Sequence, residues 1–155
     1  MIRRANGREV EFLYQLALRS KGHWGYSSSF IDACRDELTV KVRDIEAGNV
    51  FVFDRAGKPA GFYSLERLSN ERVELDFLFI EPKLIGTGLG GALFQHACGE
   101  ATRRGYAVLE IQGDPNAEPF YIAMGARHSG SKASASIPGR TLPTFEVELE
   151  SLQPA

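Results

Sequence analysis

The sequence predicts an α/β fold of mixed α+β character: a central mixed sheet, an antiparallel meander followed by a βαβ crossover, flanked by about four helices. Three observations carry this reading. From Val50 the apolar pattern takes a period of two, in three stretches separated by turn residues. Four glycines fall within the six residues Gly86 to Gly91, directly after the third stretch. Leu89, Leu93, Phe94, Ala97, Cys98 and Ala101 then share one helical face before a new strand begins at Tyr106. A helix between two strands makes that pair parallel, with a right-handed crossover.

The elements follow in order. After a short opening strand, Val10, Leu13, Tyr14, Leu16, Ala17 and Leu18 keep helical spacing until Lys21-Gly22. The loop Gly22-His23-Trp24-Gly25-Tyr26 leads to a second helix, capped by one of Ser27 to Ser29 and carrying Phe30, Ile31, Cys34 and Leu38. Val50 to Phe53 and Ala60 to Leu65 form a hairpin about a turn at Asp54 to Pro59. A turn at Ser69-Asn70-Glu71 returns the chain into the strand Val73 to Ile80. Gly105 closes the helix after the glycine loop, and Tyr106 to Ile111 is the next strand. A short helix begins near Asn116, because Pro119 lacks an N–H and fits only a first turn, and Gly125 ends it. The tail holds two strand candidates, Ala126 to Ser134 and Thr144 to Leu149, about a loop at Ser136 to Arg140.

Composition narrows the function. At 155 residues the chain, residues 1–155, reads as one domain. A net charge of −2, with no basic run longer than Arg103-Arg104, argues against a nucleic-acid partner and for small molecules. Cys34 and Cys98 are the only cysteines, each in a helical pattern, and read as buried free thiols. No segment approaches the roughly 20 apolar residues of a membrane span, and Met1-Ile2-Arg3-Arg4 leads into no apolar stretch, which points to a cytoplasmic protein.

Three places carry chemistry. The glycine loop follows a strand and opens a helix, so converging backbone N–H groups and the helix dipole meet an anion there, a pyrophosphate above all. The strand before it places Glu74 and Asp76 on one face with Leu78 and Ile80, leaving Val73, Leu75, Phe77 and Phe79 as a wholly apolar opposite face. Either the start of that strand is solvated and both acids are surface residues, or partial burial lifts one towards neutrality and makes it a general base. Tyr121 follows Phe120 early in the short helix. Such a pair is ordinary core, but a phenol beside a leaving thiolate has a matching proton to donate.

These residues resemble the GNAT superfamily of acyl-CoA-dependent N-acyltransferases, whose order of elements matches nearly the whole chain. The family loop, Gln or Arg, any two residues, Gly, any residue, Gly, corresponds to Ile85, Gly86-Thr87, Gly88, Leu89 and Gly90, with Ile85 departing from it. A second motif, Asn, any two, Ala, any two, Phe-Tyr, any three, Gly, corresponds to Asp114, Ala117, Phe120, Tyr121 and Gly125, with Asp114 departing. The resemblance implies an acetyl-CoA-dependent N-acetyltransferase using acetyl-CoA as cosubstrate and no metal. It implies that the main chain of Leu78, Phe79 and Ile80 pairs with the pantetheine arm and that Ile85, Gly86, Thr87, Gly88, Leu89, Gly90 and Gly91 hold the pyrophosphate. Asn116 and Phe120 line the pantetheine side. Tyr121 matches the general acid for the thiolate, Glu74 falls on the position of a base, and Asp76 is the alternative. The acceptor amine, a small molecule or a peptide, enters between the loop of His23, Trp24 and Tyr26 and the loop of Arg140. A homodimer is common in that family and would use the final strands.

Two other readings stay open. Gly86, Gly88 and Gly91 satisfy the Rossmann glycine spacing with Glu110 near a ribose-binding position, although Pro82 to Ile85 separate strand from glycines widely and the preceding strands form a meander. The departures at Ile85 and Asp114 also suit a non-catalytic acyl-CoA-binding sensor. Acceptor identity, among an amino acid, a polyamine, a drug amine and a protein N-terminus, and acyl length are open.

Overall fold

The period-two stretches become strands and the spaced faces become helices in the computed structural model, which describes residues 1–149. In chain order the elements are β1 (Ile2–Arg4), α1 (Val10–Gly22), α2 (Ser28–Cys34), α3 (Val42–Glu46), β2 (Val50–Arg55), β3 (Lys58–Arg67), β4 (Arg72–Ile80), α4 (Leu89–Arg103), β5 (Val108–Gln112), α5 (Glu118–Ala123), β6 (Arg127–Ala133) and β7 (Thr141–Glu148). They build a seven-stranded sheet in the order β1-β2-β3-β4-β5-β7-β6. β4 and β5 run parallel, joined through α4, and the other neighbours are antiparallel.

The sheet is buried on both faces. Leu13, Leu16 and Ala17 of α1 pack with Cys34, Ile45, Val50, Val52 and Phe62 on one side. On the other, Leu93, Phe94, Ala97 and Ala101 of α4 and Tyr121 of α5 pack with Tyr63, Val73, Leu109 and Phe145. Leu93 and Phe94 are almost fully enclosed, and burial of each contributes about 1.5–3 kcal/mol. Local chemistry sets the helix ends. Asn6 and Glu9 form a capping box before α1, and the Ser27 hydroxyl accepts the Phe30 N–H at 3.2 Å ahead of α2. After α4, Gly105 takes a φ of 90° while its N–H bonds to Thr102 and that of Tyr106 to Ala101. Both cysteines are buried free thiols, and no helix among the described residues is long and apolar enough to cross a membrane.

Several boundaries differ from the sequence expectation. The second helix stops at Cys34, and Leu38 is buried from the turn beyond it. α3 was not expected: Ile45 is its one buried residue, so no period is visible, and it brings the α-helices among the described residues to five. The hairpin turn is only Ala56-Gly57, both at positive φ, the geometry that follows strand twist. Pro59 therefore lies in β3, opposite Asp54 where the register shifts. The Tyr106 N–H is spent on closing the end of α4 at the Ala101 carbonyl, β5 starts only at Val108, and β7 starts early, at Thr141.

One difference reaches the site. The register of β3 with β4 jumps from Ser64↔Phe77 to Leu65↔Leu75, leaving Asp76 as the extra residue of a β-bulge. An extra residue reverses the alternation beyond it. Val73, Leu75, Leu78 and Ile80 thus pack towards α4, while Phe77 and Phe79 pack towards α1, so the single apolar face expected for Val73, Leu75, Phe77 and Phe79 does not exist.

Candidate active site

Beyond the bulge β4 leaves its parallel neighbour. β4 and β5 are paired from Arg72↔Val108 to Leu75↔Ile111 and no further. The opened seam is the floor of a cleft of about 650 Å³ that runs from the glycine loop to Trp24 and Leu142.

The loop end of the cleft is backbone. Gly86 and Gly88 stand at φ of 87° and 91°, a region that a side chain disfavours, and Gly88 caps α4 without any side-chain hydrogen bond. The N–H groups of Leu89, Gly90 and Gly91 have no acceptor among the described residues. Ile85, Gly86, Gly88, Gly90 and Gly91 line the cleft, as do Leu78, Phe79, Ile80, Asn116 and Phe120. Thr87 and Leu89 do not: they border a separate shallow depression with Phe53 and Arg55, and the Thr87 hydroxyl donates to the Leu84 carbonyl at 2.5 Å. The Ile80 N–H is held by the buried Ser20 hydroxyl at 3.3 Å.

At the middle of the seam lie the acids. Glu74 and Asp76 both line the cleft, and Glu66, opposite Glu74 in the register, joins them so that oxygens of the three carboxylates lie within 4.8 Å of one another. Burial, then the neighbouring Glu66, raises the Glu74 carboxyl. Asp76 keeps exposed surface on the cleft, but the walls around it take away much of its hydration. That burial, reinforced by Glu74 and Glu66, pushes it up to about 7. Close carboxylates of this kind share protons or accept a cation.

Across the seam, Tyr121 is 7% exposed and stacks among Phe94, Phe120 and Phe145. Its hydroxyl has no hydrogen-bond partner among the described residues and is not sealed from the cleft. Burial, then the nearby Asp114, raises its pKa, so the phenol keeps its proton. Gly113 positions the ring: a Cβ there would lie 2.9 Å from Tyr121 Cε2 and 3.2 Å from Phe145 Cε2.

The end of the cleft near Trp24 contains a network the sequence did not reveal. Asp114 accepts from Lys21 Nζ at 2.7 Å, the Tyr26 hydroxyl at 2.8 Å and the Asn116 N–H and side-chain amide, each at 2.9 Å. Arg140 donates to the Tyr26 oxygen at 2.7 Å and stands 3.6 Å from the same carboxylate. Tyr26 stacks on Phe30 at 4.1 Å, and both cations lie over these rings. Burial opposes ionisation of Asp114, but its bonds from Lys21 and the Asn116 N–H hold it below the ordinary range. Of the residues expected at the acceptor, Tyr26 and Arg140 are thus brought together, Trp24 lines the cleft half-exposed, and His23 packs edge-on against Trp24 without lining it. Lys21, Phe30, Ser20 and Glu66 were missed. Only the departure from the motif at Asp114 hinted that a cation had to face it.

PaiA N-acetyltransferase from Thermoplasma acidophilum, solved with coenzyme A, aligns with a TM-score of 0.79 at 18% identity, over 96% of this chain and 98% of its own. A GCN5-related N-acetyltransferase from Rhodopseudomonas palustris gives 0.78 at 20% identity, over 96% and 94%. Ard1 from Thermoplasma volcanium gives 0.75 at 15%, over 96% of both chains. Curated protein sequences gave no match. These likenesses establish the shared architecture, and the sequence pattern of the acetyltransferase (GNAT) domain matches residues 25–136 directly. A chain with this glycine loop, this splayed parallel pair and that match over most of its length belongs to the GNAT acetyltransferase family.

Proposed function

We propose that the protein transfers an acetyl group from acetyl-CoA directly to an amine. The observation that carries this reading is the coincidence, in one cleft, of a free N–H cradle at the start of α4, a carboxyl lifted to about 7 and an unpartnered buried tyrosine. The architecture is shared with a protein solved in complex with coenzyme A. Acetyl-CoA supplies an activated acyl carbon on sulfur. The N–H groups of Gly90 and Gly91 hold its pyrophosphate, the opened edge of β4 at Leu78 to Ile80 pairs with the pantetheine amides, and Asn116 and Phe120 wall that arm. Ile85 serves through its backbone, so its lack of charge is compatible with binding.

Glu74 and Asp76 act as the base. The pair takes a proton from the acceptor ammonium, directly or through water, and the freed nitrogen forms a C–N bond to the acyl carbon. Main-chain N–H groups of the splayed strand stabilise charge on the carbonyl oxygen. As the C–S bond breaks, Tyr121 donates its proton to the sulfur. Burial raises the phenol, but a thiolate leaving in the same dry pocket is a stronger base than in water, which keeps the two matched. Trp24, Tyr26 and Arg140 border the entrance for the amine.

The test is thermal unfolding with acetyl-CoA, CoA, NAD and NADP in parallel. A ligand bound at one hundred times its Kd stabilises by about 2.7 kcal/mol, so the CoA species alone should raise the midpoint. A shift with a nicotinamide nucleotide and none with CoA overturns the reading in favour of a Rossmann-type site. Thiol release on adding an amine separates the enzyme from a non-catalytic acyl-CoA sensor.

A further inference from the structure

Ser20 occupies a backbone donor that β4 turns towards the cleft, which refines, and rests on, the acetyl-transfer reading. At the end of β4 the Glu81 N–H bonds to the Ala60 carbonyl beside β3, and the register there runs Gly61↔Ile80, Phe62↔Phe79 and Tyr63↔Leu78. Backbone groups alternate between the two edges of a strand, so the N–H and C=O of Leu78 and Ile80 face away from β3. They face the seam, since pairing with β5 ends at Leu75. The Leu78 N–H has no acceptor among the described residues, whereas the Ile80 N–H is spent on Ser20 Oγ at 3.3 Å.

A hydroxyl that accepts still has a proton to give. A helical Ser or Thr commonly returns it to the carbonyl four residues back, as Thr102 of α4 does to Cys98 at 2.8 Å. Ser20 donates to no group among the described residues, although it is only 7% exposed and lines the cleft. A buried donor left without a partner is costly, so this one marks a place for an acceptor. Its neighbours in α1 hold it there. Arg19 grips both oxygens of Glu81 at 2.7 and 2.8 Å, and Lys21 bonds to Asp114 at 2.7 Å. The last turn of α1 is thereby fixed both to the end of β4 and to the turn before α5, with Ser20 between the two anchors.

We infer that Ser20 is a cosubstrate-binding residue whose hydroxyl, anchored by the Ile80 N–H, donates to a pantetheine carbonyl in place of that N–H. The arm carries two amides, and each carbonyl needs a donor in a site closed to water. The Leu78 N–H serves one and Ser20 the other, while the outward carbonyls of Leu78 and Ile80 accept the N–H groups of the arm. At Ile80 the arm is therefore held through a side chain of α1, and plain strand addition is confined to Leu78.

The test is calorimetric titration of the intact chain with CoA and with 3′-phospho-ADP, the same nucleotide without the pantetheine arm. Wild type should bind CoA more tightly than 3′-phospho-ADP. Ser20→Ala removes one hydrogen bond to the arm and should weaken CoA about fivefold, with 3′-phospho-ADP unchanged. Ser20→Cys keeps the side chain's shape but offers only a weak donor, so it should give the same pattern and carries the test if the alanine variant does not fold. CoA affinity unchanged or improved in both variants means that Ser20 only parks the Ile80 N–H, and overturns the proposal. An equal loss for both ligands assigns Ser20 a purely structural role and overturns it too, as does a wild type that binds CoA no more tightly than 3′-phospho-ADP. These three outcomes leave acetyl transfer standing. No binding of CoA to the wild type overturns both readings.

Discussion

At the scale of single residues, Glu74 and Asp76 titrate together: both are raised first by lost hydration, Glu74 raises Asp76 further, and Asp76 partly offsets the rise of Glu74 through a hydrogen bond. In the proposed base role, kcat/KM climbs with pH through about 7 as the pair gives up a proton. Asp76→Asn removes the group raised to about 7 and should abolish the limb there. Glu74→Gln removes a charge that raises Asp76 and should move the limb down by about one pH unit. A limb unmoved in both variants places the base elsewhere. Sequence alone offered both acids as base or as surface residues. Choosing between these depended on hydration around Asp76, which a bulge and two cleft walls determine.

At the scale of elements, the packing of α5 against the end of β5 sets where the Tyr121 hydroxyl stands. Gly113→Ala puts a Cβ into the Tyr121 and Phe145 rings, and overpacking of this kind costs about 1–3 kcal/mol. Gly99 is the control, an exposed position within α4 with nothing near its missing Cβ. Gly99→Ala should stabilise by about 0.5–1 kcal/mol. Urea midpoints should move in opposite directions, and only Gly113→Ala should lower turnover; equal midpoints would remove Gly113 from this role. The helical face of α4 was fully legible, since Leu89, Leu93, Phe94, Ala97, Cys98 and Ala101 are all buried. α3 was not, because five residues with one buried side chain carry no period.

At the scale of the molecule, Asp114 ties the end of α1, the start of α5 and the β6–β7 loop into one unit. Its folded pKa lies below the ordinary value because Lys21 and the Asn116 N–H overcome the effect of burial. The sign follows: its contribution is complete above the unfolded aspartate pKa near 4 and is lost as pH falls through the lower folded value. Glu74 and Asp76 act oppositely, their raised values favouring the fold at low pH and withdrawing that contribution as pH rises, through about 7 for Asp76. Asp114→Asn should therefore shrink the stability lost between pH 7 and pH 3, measured by urea unfolding at each pH. An unchanged loss would mean that the network adds nothing to the fold.

What the sequence by itself determined is what neighbours along the chain decide: the meander, the glycine loop opening a helix, the buried face of α4 and the proline-limited start of the short helix. Each follows from periods and backbone freedom within a few residues. Tertiary structure alone decided the rest. Lys21 meets Asp114 across 93 positions and Arg140 meets Tyr26 across 114, separations that no period records. The bulge at Asp76 depends on how β3 registers against β4, and one extra residue there turned Phe77 and Phe79 to the opposite side of the sheet. Because side chains alternate across a strand, that single residue, set by a partner strand, decides which groups face the cleft.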